Sequence, residues 1–164
     1  MALTQSRLKE LLEYNPETGV FVWKVDRKRI AKAGDVAGGK NLANGYKRIC
    51  IDYTNYLQHR LAFLYMTGEF PVNLVDHING DRADNRWCNL RQANFEQNAS
   101  NKAMQSNNTS GHVGIRKPKG RDQWIVQFQG KHVGCCSTLE EAKALYHQKA
   151  SNQFGEFYRN QETA

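Results

Sequence analysis

The sequence predicts an α+β protein made of two small domains within its 164 residues. Three observations lead to this prediction. Short runs in which apolar and polar residues alternate, as in half-buried strands, recur along the whole chain. A smaller number of stretches show the apolar spacing of helices. Between the halves, residues 101–111 are polar and without periodicity, so we expect a linker at 106–111 between domains at 1–105 and 112–160.

The charge composition indicates the class of partner. Lys and Arg number 23 and Asp and Glu number 16, a formal net charge of +7 that favours a polyanion. An anionic membrane surface would attract the same charge, but no apolar run reaches the ~18 residues of a spanning segment. The N-terminus also lacks the apolar stretch of a signal peptide, so we expect neither membrane association nor secretion. Free thiols, as in a reducing cytoplasm, are therefore expected at Cys50, Cys88, Cys135 and Cys136.

The first 70 residues are predicted to form a lead-in of helix and strands. Thr4 is suited to cap a first helix. The apolar face of that helix would carry Leu8, Leu11 and Leu12. Residues 15–19 (NPETG) are typical of a turn, and the alternation over residues 20–24 predicts a strand after it.

A hairpin and a second helix are predicted next. Residues 45–51 and 53–57 alternate like paired strands, and residues 59–68 have the spacing of a short helix that ends at a glycine. His59 and Arg60 begin this helix and allow two interpretations. They are a solvated or capping pair, or they contribute to catalysis, with Arg60 binding a phosphate through its planar guanidinium.

Residues 74–98 contain the polar side chains most suited to chemistry. Asp76 and His77 end a short apolar run, and a polar loop follows. A second short run over residues 87–90 is expected to form a strand, and a helix is expected to begin near Asn94. Asp76 and Asn98 offer a carboxylate and an amide oxygen, which suit Mg²⁺. Side chains alternate along a strand, so His77 faces away from Asp76 and is better placed to take a proton from water. A base and one cation are sufficient to hydrolyse a phosphodiester.

For each of these residues alone, a surface turn rich in Asn, Asp and Gly is the other interpretation. In combination they resemble the HNH nuclease family, in the branch found in phage and mobile-intron homing endonucleases. The matching residues lie at 76–81 (DHINGD), 84–86 (DNR), 89–91 (NLR) and 97–101 (QNASN), with 15–24 and 59–62 upstream.

The resemblance implies a ββα-metal fold over residues 71–105 that binds one divalent cation, Mg²⁺ or Mn²⁺. It implies His77 as general base and Asp76 and Asn98 as metal ligands, with Asn101 as the alternative to Asn98. The structural zinc of some relatives is not expected, because the chain has no Cys-x-x-Cys pair.

The same resemblance implies that Asn89 bonds to the loop backbone and so holds His77 in place. The complete interpretation makes two demands on the tertiary structure. Asp76 and Asn98 must reach one ion, and His77 must reach solvent.

Beyond the linker the pattern predicts a three-stranded antiparallel sheet and one helix. The strands are expected at 113–116, 124–128 and 131–134. Residues 137–140 (STLE) have the pattern of a capping box, which predicts the helix start. The apolar side of the helix and the residues after it would complete the core with Ala142, Leu145, Tyr146, Ala150, Phe154, Phe157 and Tyr158.

This half resembles the AP2 DNA-binding domain, known from plant transcription factors and from fusions to phage HNH nucleases. The matching residues are 114–116 (GIR), Trp124, Gly134, 138–142 (TLEEA) and the helix from 144–146 (ALY) to 154–155 (FG). The resemblance spans about residues 110–159 and implies that the exposed sheet face enters the major groove. Residues 132–133 (HV) stand where that family has Trp-Leu, and several of its groove-contacting arginines are absent, so base specificity does not transfer.

The candidates for DNA contact in this half are Arg116, Lys117, Lys119, Arg121, Gln127 and Gln129. The basic side chains suit phosphates or bases, and the amides suit base edges or the backbone. Trp124 suits the core as well as it suits DNA. A solvated sheet face is the other interpretation of the charged residues.

We therefore expect a site-selective, homing-type endonuclease that cleaves or nicks double-stranded DNA, as a monomer or homodimer, in the cytoplasm of a bacterial or phage-infected cell. His77 would activate water and leave 5′-phosphate and 3′-hydroxyl ends, as the nuclease family implies. Two alternatives stay open. One is a DNA-binding regulator whose nuclease half is inactive, and the other is an RNase or a nonspecific defence nuclease, since basic charge does not separate DNA from RNA.

Overall fold

The structure is a computed structural model that describes residues 3–28, 30–39, 42–100 and 111–158. The chain falls into two compact units, Met1–Phe95 and Glu96–Ala164. The expected linker at 106–111 lies, except for Gly111, outside the described residues, so the domain limits stay a prediction.

Helices and antiparallel strands are mixed, in agreement with the predicted α+β class. The helices are α1 (Gln5–Leu11), α2 (Gln58–Thr67), α3 (Phe95–Ser100) and α4 (Leu139–Phe154), with 3-10 turns at Trp87–Asn89 and Gly155–Phe157. The strands are β1 (Leu12–Asn15), β2 (Val20–Trp23), β3 (Val36–Ala37), β4 (Arg48–Ile51), β5 (Thr54–Leu57), β6 (Leu74–His77), β7 (Leu90–Ala93), β8 (Ile115–Arg116), β9 (Trp124–Phe128) and β10 (Lys131–Cys136).

The first unit begins with α1 and a sheet in the order β1-β2-β3. Thr4 caps α1 as predicted, because its hydroxyl accepts a hydrogen bond from the Arg7 backbone N–H at 3.2 Å. The prediction that Leu12 continues the helix is wrong. Leu12 has extended backbone, begins β1 and pairs with Trp23. Extension directs its side chain into the core, where both Leu8 and Leu12 are fully buried.

The predicted hairpin and second helix are both present. β4 and β5 pair antiparallel around Asp52 and Tyr53, whose φ angles of 46° and 64° are those of a tight hairpin turn. α2 follows β5 directly and ends at Gly68, whose φ of 91° lies in the left-handed region.

β6 and β7 form an antiparallel pair with Asp76 opposite Arg91 and His77 opposite Leu90. The expected second run does not begin as a strand at Trp87. Residues 87–89 form a 3-10 turn, closed by a 2.9 Å hydrogen bond from the Asn89 backbone N–H to the Arg86 carbonyl, and the strand starts only at Leu90.

One apolar cluster packs these elements of the first unit together. Its largest fully buried side chains are Leu8, Leu12, Phe21, Ile49, Ile51 and Leu61. Val75 and Leu90 belong to the same cluster, so the strand pair β6–β7 is joined to the core on which α2 packs. The ends of these strands are therefore held on a rigid base.

In the second unit, β8, β9 and β10 form the predicted three-stranded antiparallel sheet, with β9 in the centre. Val126 and Ala142 lie at the centre of its core and are fully buried. The helix is capped by Thr138 with Glu141, one residue later than the predicted pair of Ser137 with Glu140. A serine and a threonine stand side by side, so the sequence offers two overlapping capping patterns.

Candidate active site

β6 places Asp76 and His77 at its C-terminal end, and both residues are only 4% exposed. The Asp76 carboxylate is paired across the strands: Nε and Nη2 of Arg91 both lie 2.9 Å from its Oδ2. The negative charge of Asp76 is thus compensated inside the protein, and the orientation of its carboxylate is set by the strand register.

His77 contacts a different set of groups. Its Nε2 lies 3.2 Å from Oδ1 of Asn85, and its ring lies edge-on to that of His59, with ring centroids 5.2 Å apart. The ring of Tyr46 lies 5.9 Å away, with the guanidinium of Arg82 stacked above it at 5.1 Å. The demand that His77 reach solvent is not met by its 4% exposure.

Burial lowers the pKa of His77 below its ordinary value, although the hydrogen bond to Asn85 and the charge of Asp76 act in the opposite direction. A lowered pKa keeps the imidazole neutral at physiological pH. Neutral imidazole is the form that can take a proton from water.

Asn89 organises the polar loop between β6 and β7. Its Oδ1 accepts a hydrogen bond from the Asn79 backbone N–H at 2.9 Å, and its Nδ2 donates to the Asp84 carbonyl at 2.8 Å and to Asn79 Oδ1 at 3.0 Å. The Asn89 carbonyl in turn accepts from the N–H of Ile78, the residue that follows His77. These contacts are of the kind that the HNH resemblance implies for Asn89.

Asp84 closes the same loop through a forked ion pair. Nε and Nη2 of Arg86 lie 2.8 and 2.6 Å from its two carboxylate oxygens, and Asn79 Nδ2 donates to Oδ2 at 2.8 Å. The hydrogen bonds from Arg86 lower the pKa of Asp84 to about 2. The loop therefore carries a carboxylate that stays ionised over the physiological range.

His59 and Arg60 do not form the solvated pair that was one interpretation. His59 is 5% exposed, and burial lowers its pKa to about 3, so it is neutral. Within the described residues, its Nδ1 is a buried polar side-chain atom without a hydrogen-bond partner. Arg60 is partly buried and donates from Nη2 to the Pro71 carbonyl at 3.0 Å, so part of its donor set is already used by the protein.

Two residues that sequence reasoning did not assign lie behind His77. Asn85 and Gln58 are 2% and 3% exposed, and their side-chain amides bond to each other at 3.2 Å. Asn85 falls inside the matching DNR segment, which is a weak signal for a role. Nothing in the spacing connects Gln58 with a residue 27 positions later.

The donor chemistry fits a hard divalent cation only in part. Asp76 supplies an anionic oxygen, the ligand type that Mg²⁺ and Mn²⁺ bind. Across the described residues no group of three or more His, Cys, Asp or Glu side chains is placed to hold a metal, so amide or substrate oxygens would have to complete the shell. Asn98 lies on α3 in the second unit, and Asn101 lies outside the described residues, so both ligand assignments stay predictions.

The basic candidates of the second unit, Arg116, Lys117, Lys119 and Arg121, are all exposed. Lys117 is paired with Asp122 at 3.1 Å and lies over the Trp124 ring at 5.9 Å. Trp124 packs against the core of this unit, which favours the structural one of its two predicted roles. Gln127 is half-buried in β9, and Oε1 of Gln129 accepts a hydrogen bond from Gln153 at 3.1 Å.

The remaining expectations concern thiols and membranes. Cys50, Cys88, Cys135 and Cys136 are free, as predicted. In the part of the chain that the structure describes, the helices are too short or too polar to cross a membrane.

Comparison with known proteins identifies the class to which this segment is similar. Residues 56–100, which contain α2, β6, the loop, β7 and α3, match the family model described as HNH endonuclease. The comparison therefore supports an HNH endonuclease domain over these residues, and the family match ends before the second sheet.

The chain is also 33% identical over 104 residues to an uncharacterized HNH endonuclease of Acanthamoeba polyphaga mimivirus. The alignment covers 60% of this chain and 54% of that protein, so the chain spans about half the length of this relative. No solved structure gives a significant match.

Proposed function

We propose that the chain is a metal-dependent endonuclease that hydrolyses phosphodiester bonds in DNA. The match of residues 56–100 to HNH endonucleases supports the reaction class. The observation that carries the proposal is that the two neighbouring residues at the end of β6, Asp76 and His77, contact different kinds of groups. The Asp76 carboxylate contacts the Arg91 guanidinium, whereas the His77 imidazole contacts the neutral Asn85 amide and two aromatic rings.

These different surroundings allow the two side chains to act differently. The Asp76 carboxylate is held in an ion pair with Arg91 and offers oxygen to a cation. His77 stays neutral because it is buried, and a neutral imidazole accepts a proton. One neighbour in an ion pair and the other buried among neutral groups are the arrangement expected for a ligand and a base.

The chemistry is hydrolysis of one P–O bond. Water loses a proton to His77, the resulting hydroxide attacks phosphorus, and the bond to the 3′ oxygen breaks. The products are a 5′-phosphate and a 3′-hydroxyl, whose oxygen takes its proton from solvent. A bound cation would neutralise charge on the phosphate and on the leaving oxygen.

The proposal gives Asn89 and the second unit supporting roles. Asn89 bonds to the backbone of residues 79 and 84 and so keeps the loop after His77 closed. Exposed Arg116, Lys119 and Arg121 would bind DNA phosphates, and Gln127 and Gln129 remain candidates for base edges. The AP2 resemblance, a homing role and a site-selective nick stay parts of the proposal, with double-stranded DNA as the substrate.

The experiment is a nicking assay on supercoiled plasmid with Mg²⁺ or Mn²⁺. Wild type should relax the plasmid, chelation should stop the reaction, and His77→Ala should lower the rate by about 10² to 10⁴, the usual contribution of a general base. Asn73→Ala, at an exposed position before β6, is the control and should leave the rate unchanged. Equal cutting by wild type and His77→Ala would exclude His77 from the mechanism.

A second candidate function is a DNA-binding regulator that does not cleave. The observation that favours it is the 4% exposure of His77, which keeps water from the ring in this conformation. A gel shift separates the two. A regulator binds duplex DNA with or without divalent cations and leaves it intact, whereas the endonuclease converts it to nicked or linear product.

A further inference from the structure

Three buried side chains form a continuous hydrogen-bonded row that ends at His77. Gln58 Nε2 donates to the Ala37 carbonyl at 3.0 Å, and Gln58 Oε1 lies 3.2 Å from Asn85 Nδ2. Asn85 Oδ1 then lies 3.2 Å from His77 Nε2. The three side chains belong to residues that are 3%, 2% and 4% exposed, so bulk water does not replace any of these contacts.

The direction of the row is determined by its far end. A backbone carbonyl only accepts hydrogen bonds, so the Gln58 amide must turn its NH₂ toward Ala37 and its oxygen toward Asn85. The Asn85 NH₂ must therefore face Gln58, and a second acceptor, the Ala83 carbonyl at 3.3 Å, holds it on that side. The Asn85 oxygen is then the atom that faces His77.

The end of the row assigns the proton of the imidazole. An amide oxygen cannot donate, so the hydrogen bond between Asn85 and His77 exists only when His77 Nε2 carries the hydrogen. In neutral histidine one ring nitrogen is protonated and the other has the lone pair. The lone pair of neutral His77 is consequently on Nδ1.

We propose that Gln58 and Asn85 are positioning residues that fix the His77 ring and select its Nε2–H tautomer, which leaves the lone pair of the neutral ring on Nδ1. This inference rests on the proposed function of His77 as the base. The opposite tautomer would place the Nε2 lone pair against the Asn85 oxygen, so two acceptors would face each other. Turning both amides to relieve that contact would instead place the Gln58 oxygen against the Ala37 carbonyl oxygen.

The row also suits the change of charge during the reaction. When water transfers its proton to Nδ1, a hydroxide forms and the ring becomes a cation with both nitrogens protonated. Asn85 Oδ1 keeps the same hydrogen bond, which is stronger to the charged ring. The buried side of the site therefore needs no rearrangement when the proton arrives.

The first test is a spectroscopic measurement of the tautomer in the whole protein. Long-range ¹H–¹⁵N NMR on ¹⁵N-histidine protein at about pH 8, where an imidazole is neutral, distinguishes the protonated from the unprotonated ring nitrogen. The His77 signals are identified by their loss in His77→Gln. Wild type should show hydrogen on Nε2, and hydrogen on Nδ1 would overturn the proposal whether or not the protein cuts DNA.

The second test compares substitutions of Asn85. Asn85→Leu removes the acceptor, so His77 should populate both tautomers. kcat should fall by about 10- to 100-fold with little change in KM, because the base is partly in the wrong tautomer while DNA binding is kept. Asn85→Asp keeps an acceptor for Nε2–H and should keep the tautomer and most of the rate. Asn73→Leu, at an exposed position before β6, is the control that should alter neither.

The outcomes are distinguishable from failure of the proposed function. If His77→Ala cuts as well as wild type, the proposed function of His77 as the base is excluded. The tautomer measurement still tests whether the hydrogen-bonded row selects the Nε2–H form. If Asn85→Leu keeps wild-type kcat and wild-type tautomer, the positioning role is wrong even though His77 remains the base. If Asn85→Leu does not fold, the wild-type spectrum and Gln58→Leu, which should show a smaller shift toward mixed tautomers, decide the question.

Discussion

Arg91 places two nitrogens, Nε and Nη2, each 2.9 Å from the same carboxylate oxygen of Asp76. The two residues are cross-strand partners in β6 and β7, and their side chains are only 13% and 5% exposed. The pair is therefore a buried ion pair whose geometry comes from the strand register. It orients the carboxylate proposed as a metal ligand before any cation arrives.

Replacing Arg91 should destabilise the protein strongly and make its stability depend on metal. Arg91→Met removes one partner of a buried ion pair with Asp76, and breaking such a pair typically costs about 3–5 kcal/mol of unfolding free energy. A divalent cation that binds the folded protein through Asp76 should restore part of this loss. Urea unfolding with and without Mg²⁺ measures both effects.

Arg7→Met is the matched control for Arg91→Met. Arg7 pairs with Glu10 and Asp52 through exposed side chains, so its loss should cost far less stability than the loss of Arg91 and should not respond to Mg²⁺. An equal loss for the two variants would show that the Asp76 pair is not the buried contact described here.

Asn89→Ala should loosen the loop after His77. The substitution removes three hydrogen bonds to the backbone and side chain of that loop, each worth about 0.5–1.5 kcal/mol net, so the expected loss is about 1.5–4.5 kcal/mol. Urea unfolding and the nicking rate should both fall. Asn73→Ala, at an exposed position, should change neither, and wild-type stability of Asn89→Ala would contradict the structural role.

Stability should decrease as the pH falls below the ordinary histidine range. The pKa of His59 is about 3 in the folded protein and 6.5 without the burial. Between these pH values the unfolded chain therefore binds a proton that the folded chain does not bind. Stability is greatest above pH 6.5 and should be lower by about 1.4 kcal/mol at about pH 5.5 from this residue alone. The lowered pKa of His77 adds to the same slope.

Urea unfolding at about pH 7.5 and about pH 5.5 tests this dependence. His59→Phe should make the slope shallower, and His132→Phe, which removes an exposed imidazole, should not. Asp84 does not interfere, because the stability from its pKa of about 2 is lost only as the pH falls further, below the ordinary aspartate value. An unchanged slope in His59→Phe would show that His59 is not buried in its neutral form.

Two glycines of the second unit provide a test of its packing. A Cβ on Gly114 would lie 2.2 Å from the Gln127 carbonyl oxygen and 2.5 Å from the Tyr146 ring, whereas one on Gly120 would meet open space. Both have a positive φ, of 70° and 80°, so Gly120→Ala measures the backbone strain alone, about 1–2 kcal/mol. Gly114→Ala should lower the melting temperature clearly more, and equal melting temperatures would contradict the close packing of β8 against β9 and α4.

The salt dependence of DNA affinity tests the basic surface of the second unit. Arg121→Ala and Lys119→Ala should each weaken duplex binding and reduce the slope of log Kd against log salt by about one, as expected for loss of one phosphate contact. Lys143→Ala, whose ammonium is paired with Glu140 on α4, is the control and should leave the slope unchanged. Unchanged slopes for all three would place DNA binding elsewhere.

Local features of the fold were predictable because they depend on neighbours in the chain. The Thr4 cap, the hairpin turn before β5 and the end of α2 at Gly68 each come from residue types within a few positions. Where two local patterns overlapped, the prediction was wrong. Leu12 belongs to a strand and not to the helix, and the capping box begins at Thr138, one residue later than predicted. Local propensity does not decide between competing patterns that bury the same apolar surface.

The sequence by itself determined most of the elements, though not β1 or β3, and the polar residues at the end of β6, because alternation and turn chemistry are local properties. Only the tertiary structure decided that Asp76 meets Arg91, that His77 is almost fully buried, and that Gln58 bonds to Asn85. Such contacts join side chains 15 and 27 positions apart. They depend on strand register and on packing against a shared core, so no pattern of neighbouring residues contains them.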